Sequence, residues 1–278
     1  MKLNNILILG SNGQIGTHLK KILSSVDGYE VIEFDITNDK NEDLRIKGSL
    51  DYHILEADFV MFLAFDVGGS YYLEKYQNTF NFINNNVLIM QNTFEILKKY
   101  NKPFIFTSTQ MSNMIDSPYG ILKTVGEFYS KSLNGLFVKF WNVYGIELDE
   151  NKSHVITDFI RKGKTNGIID MRTNGEETRE FLHADDASNC LIKIMENYNS
   201  IDRTQPLHIS SFKVTTIIEV AQIVSEYLGC SYEPNMYKID DIQHNRNNKP
   251  NPYILNFWKP TIGLKEGILD IINLMTIK

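Results

Sequence analysis

A doubly wound α/β fold is predicted by two features of this sequence. Short apolar runs alternate with stretches of helical periodicity, and the first apolar run closes in a glycine-rich loop. Length agrees, since 278 residues suffice for one large sheet domain and a smaller lobe. Residues 1–150 are expected to carry the sheet, with later segments returning to it. Residues 151–278 are expected to form mainly a C-terminal lobe over the carboxyl ends of the strands.

The elements follow in order. Asn5-Ile6-Leu7-Ile8-Leu9 is an apolar run closed by Gly10, the pattern of a strand buried on both faces. Gln14 to Leu23 has Ile15, Leu19 and Ile22 at helical spacing. Glu30 to Ile36, Phe59 to Phe65 and Pro103 to Thr109 read as strands, and a long helical stretch ending at Lys99 separates the last two. Ser117-Pro118 opens a helix, because serine caps and proline fits the first turn. Leu136 to Tyr144 reads as one more strand. After Gly145 the pattern loosens. Ser153 to Lys164, Asp185 to Tyr198 and Val214 to Leu228 look helical, and Ile168 to Arg172 and Glu180 to His183 look like short strands. Tyr237 to Pro252 is polar and expected mostly as loop.

Composition narrows the function classes. A hydrophobic fraction of 42%, a charged fraction of 22% and a net charge of −6 describe an ordinary folded protein rather than a disordered or low-complexity chain. No basic block is present to release counterions from a phosphate backbone, so nucleic acid is not an expected partner. Cys190 and Cys230 make neither a disulfide framework nor a metal knuckle, and the histidines have no ligand spacing, so no metal is expected. Both thiols are expected reduced and half-buried. No run reaches the length of a membrane span, and Met1-Lys2-Leu3 leads directly into a strand-like run. A cytoplasmic protein without a membrane partner is the expectation.

Gly10-Ser11-Asn12-Gly13-Gln14-Ile15-Gly16 lies between the first strand and the first helix. Glycines there let the backbone approach a pyrophosphate, and the helix N-terminus offers amide donors and a positive partial charge. This placement is that of a Rossmann-type dinucleotide site. Asp35 at the end of the second strand can accept from the adenosine ribose hydroxyls and would repel a 2′-phosphate, so NAD is expected rather than NADP. Ile36 beside it, and Leu63 and Ala64 on the third strand, are assigned to the same cofactor site.

Ser117-Pro118-Tyr119-Gly120-Ile121-Leu122-Lys123 places Tyr119 and Lys123 one helical turn apart on one face. The ammonium is expected to lower the pKa of the phenol and make Tyr119 a usable base near neutral pH. The hydroxyls of Thr107, Ser108 and Thr109, at the end of the preceding strand, are expected to reach the same substrate oxygen.

From about Asn5 to about Ala187 the chain resembles the extended short-chain dehydrogenase/reductases of the nucleotide-sugar epimerase/dehydratase family. The glycine loop, strand-end Asp, Ser/Thr cluster and Tyr-x-x-x-Lys stand in that family's order. Phe257-Trp258-Lys259-Pro260 and Leu264-Lys265-Glu266-Gly267 add a weaker match in the tail. The resemblance implies Thr109 as the catalytic hydroxyl, Tyr119 as the base, and Lys123 and Asn86 as residues of the cofactor site. It also implies a nucleotide-diphosphate sugar as substrate and a homodimer. Asp66-Val67-Gly68-Gly69 and Asn142-Val143-Tyr144-Gly145, followed by Ser153-His154-Val155-Ile156, resemble the GDP-fucose synthase and GDP-mannose 3,5-epimerase group. By that likeness Val67, Gly68, Gly69, Asn142 and His154 touch the sugar, and His154 moves a proton at its ring. Its bland alternative is a helix-start residue. Arg179, in Arg179-Glu180-Phe181-Leu182-His183-Ala184-Asp185-Asp186, resembles the arginine that grips the diphosphate, and a guanidinium fork suits phosphate oxygens.

The departures shape the expected activity. Gln110-Met111 stands where the 4,6-dehydratases carry Asp-Glu, so water elimination loses its acid and base. Met111 also replaces the cysteine of the 3,5-epimerases, and a thioether donates no proton. Lys139 stands where the family often has arginine. The leading expectation is an NAD-dependent nucleotide-sugar epimerase or oxidoreductase acting at C4 through a keto-sugar. The alternative is a 4-keto-sugar reductase or epimerase-reductase of the fucose-synthase type. A non-catalytic NAD-binding sensor is a third reading, disfavoured because Tyr119 and Lys123 both stand.

Overall fold

The structure of the chain, a computed structural model, describes residues 3–147, 149–238 and 249–275. The expected loop of Tyr237 to Pro252 falls partly outside these residues, as do Met1 and Lys2. The first half runs β1 (Asn5–Leu9), α1 (Gln14–Ser24), β2 (Glu30–Phe34), α2 (His53–Glu56), β3 (Phe59–Phe62), α3 (Ser70–Tyr76), α4 (Phe80–Tyr100), β4 (Phe104–Thr109), α5 (Pro118–Ser132) and β5 (Leu136–Phe140). Next come β6 (Asn142–Tyr144), α6 (Val155–Asn166), β7 (Ile168–Asp170), β8 (Thr178–Arg179), β9 (Phe181–His183) and α7 (Ala184–Glu196). The chain continues through β10 (Leu207–Ile209), β11 (Thr215–Thr216), α8 (Ile217–Leu228), β12 (Ser231–Glu233) and α9 (Leu264–Leu274).

Six parallel strands form the main sheet in the order β10-β5-β4-β3-β1-β2. The order reverses between β1 and β3, and that switch point is where a crevice opens at the carboxyl ends of the strands. Alternate side chains of the strands fill two cores. Ile6, Ile8, Phe59 and Met61 pack with Leu19 and Leu23 of α1 and Cys190, Leu191 and Ile194 of α7. Leu7, Leu9, Val60 and Phe62 pack on the other face with Phe82, Met90 and Phe94 of α4 and Leu122 of α5. A third core joins Ile156 and Ile160 of α6, Val220 and Val224 of α8 and Ile268 and Ile271 of α9. Beyond residue 151, α7, β10, Ile254 and Trp258 belong to the first core, so the tail returns to the sheet.

Several expected elements change shape for identifiable reasons. The strand expected from Leu136 to Tyr144 breaks at Trp141. The Trp141 amide donates to the Ile209 carbonyl at 3.1 Å, and β6 leaves the main sheet to pair with β9. The long helix before β4 is two helices, because the Thr79 hydroxyl accepts from the Phe82 amide and starts α4 afresh. α8 begins at Ile217 rather than Val214, because Thr216 and Glu219 form a reciprocal capping box. Both cysteines are free, but Cys190 is fully buried in the first core rather than half-buried. Ser117 caps α5 as expected, accepting from the Gly120 amide at 3.2 Å.

Candidate active site

The glycine loop leaves β1 at the switch point. Gly10 has φ +87°, and a Cβ there would lie 2.9 Å from the Ala64 nitrogen. A Cβ on Gly16 would lie 2.1 Å from the Gly10 carbonyl oxygen, so only glycine lets α1 begin this close to the strand. Gly13 precedes α1 with no side-chain cap and no acidic residue in the first turn, leaving amide donors available at Gln14 and Ile15. The Gln14 Nε2 is buried without a hydrogen-bond partner among the described residues. Asp35 holds the loop from the neighbouring strand, accepting from the Asn12 amide at 3.0 Å and from the Thr37 amide and hydroxyl at 2.9 and 2.7 Å. The Asn12 side chain donates to Thr37 and Asn38 and accepts from Lys20, whose ammonium also pairs with Glu33 at 2.8 Å. Ile36 is exposed beside Asp35, and Leu63 and Ala64 follow β3 across the switch point. A close backbone cradle, an orphaned amide donor and a fixed carboxylate fit a dinucleotide's pyrophosphate and ribose.

Thr109 ends β4 at the same edge of the sheet. Its oxygen accepts the Met111 amide at 3.2 Å, which directs the hydroxyl proton elsewhere, and its side chain is hydrogen-bonded to the Tyr119 hydroxyl. A Cβ on Gly120 would lie 2.3 Å from the Met111 carbonyl, so glycine after Tyr119 lets α5 close onto this turn. Only Thr109 of the expected hydroxyl cluster meets Tyr119. Thr107 donates to the Phe62 carbonyl, and Ser108 donates to Glu127 at 2.5 Å.

The pair of Tyr119 and Lys123 is poised differently from the expectation. Burial pushes the Tyr119 phenol up to about 12, against the Thr109 hydrogen bond. Burial likewise pushes Lys123 down to about 7, against the opposing charge of Glu127. Lys123 is 3% exposed, donates to the Thr107 carbonyl at 2.7 Å, and lies 3.8 Å from the Phe65 ring centre but 6.0 Å from that of Tyr119. Desolvation outweighs attraction here, because the ammonium is itself destabilised and turned toward a carbonyl.

Behind the pair lies a buried polar network that sequence reading missed. Glu127, one turn beyond Lys123, accepts from Ser108 and pairs with Lys139 at 3.2 Å. Lys139 also donates to Ser112 at 2.7 Å. Lys139 therefore faces α5 from β5. The helical spacing of Tyr119, Lys123 and Glu127 was the signal that could have found it.

Two carboxylates organise the join between the sheet and the lobe. Asp66, beyond β3, accepts from Tyr72 at 2.6 Å and Asn85 at 3.0 Å, and pairs with Lys152 at 3.2 Å. Burial would raise its pKa, but these hydrogen bonds and the Lys152 charge outweigh burial and hold it below the ordinary range. Asn86 is fully buried. Its carbonyl accepts the Asp66 amide at 2.7 Å and its amide donates to the Asp66 and Phe82 carbonyls, so it shapes this loop from beneath. Val67 packs against the second core, and Gly69 donates to the Lys152 carbonyl at 2.9 Å. A Cβ on Gly68 or Gly69 would collide with Lys152 or Ser153, so the Gly-Gly turn brings the two halves into contact. His154 begins α6, and its Nδ1 lies 2.5 Å from Glu147. Burial works to lower its pKa, but the Glu147 charge and hydrogen bond outweigh burial and hold it above the ordinary histidine value. Glu147 is a second missed residue, and no periodicity connects it to His154.

Asn142 opens β6, with its amide nitrogen buried and unpartnered among the described residues. Arg179 lies on β8, which pairs with β11, and donates to the Thr178 carbonyl at 2.8 Å. In the segment that follows, Asp186 accepts from the Thr261 and Ile262 amides, which fastens the tail before α9.

A glycine loop at the switch point of a parallel sheet, facing a Thr–Tyr–Lys constellation, defines a Rossmann-type dinucleotide-dependent oxidoreductase. The chain belongs to the NAD dependent epimerase/dehydratase family, whose profile matches residues 6–210. It is similar to a "Putative UDP-glucose 4-epimerase" of Methanocaldococcus jannaschii, 27% identical over 97% of this chain and 98% of that one. Among solved structures it is similar to a GDP-6-OMe-4-keto-L-xylo-heptose reductase from C. jejuni, at TM-score 0.83 and 18% identity over 100% and 99% of the two chains. It is also similar to the UDP-glucose 4-epimerase of Thermus thermophilus in complex with NAD, at TM-score 0.74 and 20% identity over 97% and 98%.

Proposed function

We propose that this enzyme interconverts the hydroxyl and ketone at C4 of a nucleotide-diphosphate sugar, with NAD as its resident cofactor, and acts as an epimerase. The observation that carries the reading is Thr109, Tyr119 and Lys123 gathered at the edge where the glycine loop opens. Gly10, Asn12, Gly13, Gln14, Ile15, Gly16, Asp35, Ile36, Leu63 and Ala64 would hold the pyrophosphate and adenosine end, and Tyr119 and Lys123 the nicotinamide ribose. When bound, NAD supplies a reversible hydride acceptor. Tyr119 exchanges the proton of the C4 hydroxyl, Thr109 shares that hydrogen bond, and Lys123 supplies positive charge beside the phenolate once it is protonated. Asp35 supports NAD over NADP, because its charge opposes a 2′-phosphate and the nearby Lys20 is committed to Glu33 and Asn12. Arg179 and Asn142 are assigned to the substrate from the lobe.

A second reading, a 4-keto-sugar reductase or epimerase-reductase, is favoured by His154 standing against the Gly68-Gly69 turn. Mass spectrometry of small molecules released by denaturing the purified protein, followed by incubation with nucleotide sugars, separates the two. Released NAD or NADH, and C4 epimers formed without added cofactor, support the epimerase. Preferential rebinding of NADP puts the reductase first.

The assembly proposed is a homodimer. The neighbouring α4 and α5 expose Phe80, Ile83 and Val87 on one helix and Ile121, Val125 and Phe128 on the other, with Phe128 65% exposed. Such a stripe suits a second copy of itself. Light scattering of the parent and of Phe128→Lys tests it, and a monomeric parent ends the proposal. A cytoplasmic location is proposed on the two free thiols. No helix among the described residues is long and apolar enough to cross a membrane.

A further inference from the structure

We propose that Glu147 is a positioning residue that holds His154 as a cationic hydrogen-bond donor toward the substrate, an assignment that rests on reading this cleft as a nucleotide-sugar site. Three groups converge on the Glu147 carboxylate: the His154 ring at 2.5 Å, the His154 amide at 2.8 Å and the Thr157 hydroxyl. An ionised carboxylate only accepts, so the ring nitrogen facing it carries a proton, and Nε2 is left on the opposite edge. The exposures are unequal. The Glu147 side chain is 7% exposed and that of His154 is 40% exposed. The carboxylate is therefore a buried anchor, and the imidazole is the part that remains accessible.

The other charges around His154 are committed elsewhere. Lys152 pairs with Asp66 across the cleft at 3.2 Å, and the same Asp66 takes the Tyr72 hydroxyl. Arg161 of α6 pairs with Glu150 at 3.2 Å, and Asp158 of α6 pairs with Lys162 at 3.0 Å. Asp149 accepts from the Asn151 amide at 3.0 Å, and Glu147 is the carboxylate in direct contact with the ring. The ring is also held from the side of the main sheet. A Cβ on Gly69 would lie 2.1 Å from the Ser153 carbonyl and 3.1 Å from the His154 Cα, so the turn following Asp66 braces this backbone. Phe65, next to Asp66, has its ring 5.9 Å from that of Tyr119. The same short loop thus links the proton-handling Tyr119 to the braced His154. Hydroxyl, carbonyl and phosphate oxygens of a nucleotide sugar all accept, and a charged donor strengthens such bonds.

Two measurements test the proposal. The first is the titration of His154 by NMR in the substrate-free protein, assigned with His154→Gln. The midpoint is expected above 6.5 in the parent and lower in Glu147→Gln than in the parent, while Thr157→Val leaves it nearly unchanged. The second is binding of UDP-glucose and GDP-mannose, as probes, to the NAD-loaded protein. Glu147→Gln is expected to weaken binding about fivefold at roughly pH 7 and to recover at roughly pH 5.5, where the imidazole protonates unaided. In a His154→Gln background the Glu147→Gln change is expected to add less than about twofold, because it acts through the ring. A parent midpoint at or below 6.5, an unmoved midpoint in Glu147→Gln, or equal probe binding at pH 7 overturns the proposal. A raised midpoint in a parent that binds neither probe overturns the substrate-facing role, and with it the reading of the cleft, while leaving the ion pair intact. Should Glu147→Gln not fold, the parent titration decides.

Discussion

Tyr119 and Lys123 stand on a helix packed against the main sheet, and burial alone carries one up to about 12 and the other down to about 7. His154 stands on the lobe, half-exposed, with a buried carboxylate holding its charge. The first region is poised by desolvation and has unmet electrostatic demand, which a bound charged ligand would relieve. The second is balanced within the protein. Differences in how a site is stabilised therefore mark which groups depend on the ligand for their final protonation state.

Removing the group on the sheet side is expected to have the largest effect. Tyr119→Phe keeps the ring against Phe65 and deletes only the hydroxyl, so turnover is expected to fall by about two orders of magnitude or more. Product formation from a nucleotide sugar reads it, and near-normal turnover would move the proton transfer away from this side. Gly16→Ala comes next. Its methyl would lie 2.1 Å from the Gly10 carbonyl and 2.9 Å from Ser11, so the loop must open. Overpacking of this kind costs about 1–3 kcal/mol, or roughly fivefold to a hundredfold in NAD affinity by calorimetry. Unchanged affinity would show that the cradle does not hold the pyrophosphate.

The same contrast explains what could be read from the sequence. Gly10 to Gly16, Asp35 and the Tyr119–Lys123 pair are local patterns, fixed by one turn of helix or one strand–loop junction, so spacing revealed them. The sheet was legible because Ile6, Leu7, Ile8 and Leu9 are apolar on both faces. The Glu147–His154 pair depends on how a loop folds back onto the start of α6, and the Asp66–Lys152 pair joins residues far apart in the chain, which no period encodes. The split of β5 from β6 was hidden for the same reason, since the partner of β6 is a strand nearly forty residues later. The direction of the Tyr119 shift was also not legible. Spacing places an ammonium near a phenol, but only the packed structure shows Lys123 turned to the Thr107 carbonyl.

Stability sharpens the comparison in a way activity does not. Lys123 has a folded pKa of about 7 and an unfolded value of about 10.4. Between those values the unfolded chain binds more protons, so this group makes the ligand-free protein more stable as pH rises from about 7 toward about 10. Lys123→Met removes the buried charge and is expected to stabilise the ligand-free protein near pH 7 by about 0.5–2 kcal/mol while abolishing turnover. Denaturant unfolding at three pH values should give a flatter profile than the parent. An identical slope in parent and variant would mean that the burial of Lys123 is relieved by something other than deprotonation.

His154 is expected to do the opposite, and more weakly. Its folded pKa is raised, so its contribution is fully present below the unfolded value of about 6.5 and is lost as pH climbs through the folded one. Its ring is 40% exposed and partly screened, so the contribution is held to less than about 1 kcal/mol. Above about pH 6.5 the stability of His154→Gln should therefore climb slightly more steeply with pH than that of the parent, whereas from about pH 7 toward about pH 10 that of Lys123→Met should climb less. Opposite signs from the two variants would establish that the sheet side carries a destabilised charge and the lobe side a stabilised one. If both slopes run the same way, the Glu147 carboxylate is not compensating the imidazolium, and the two sides of the cleft are poised alike.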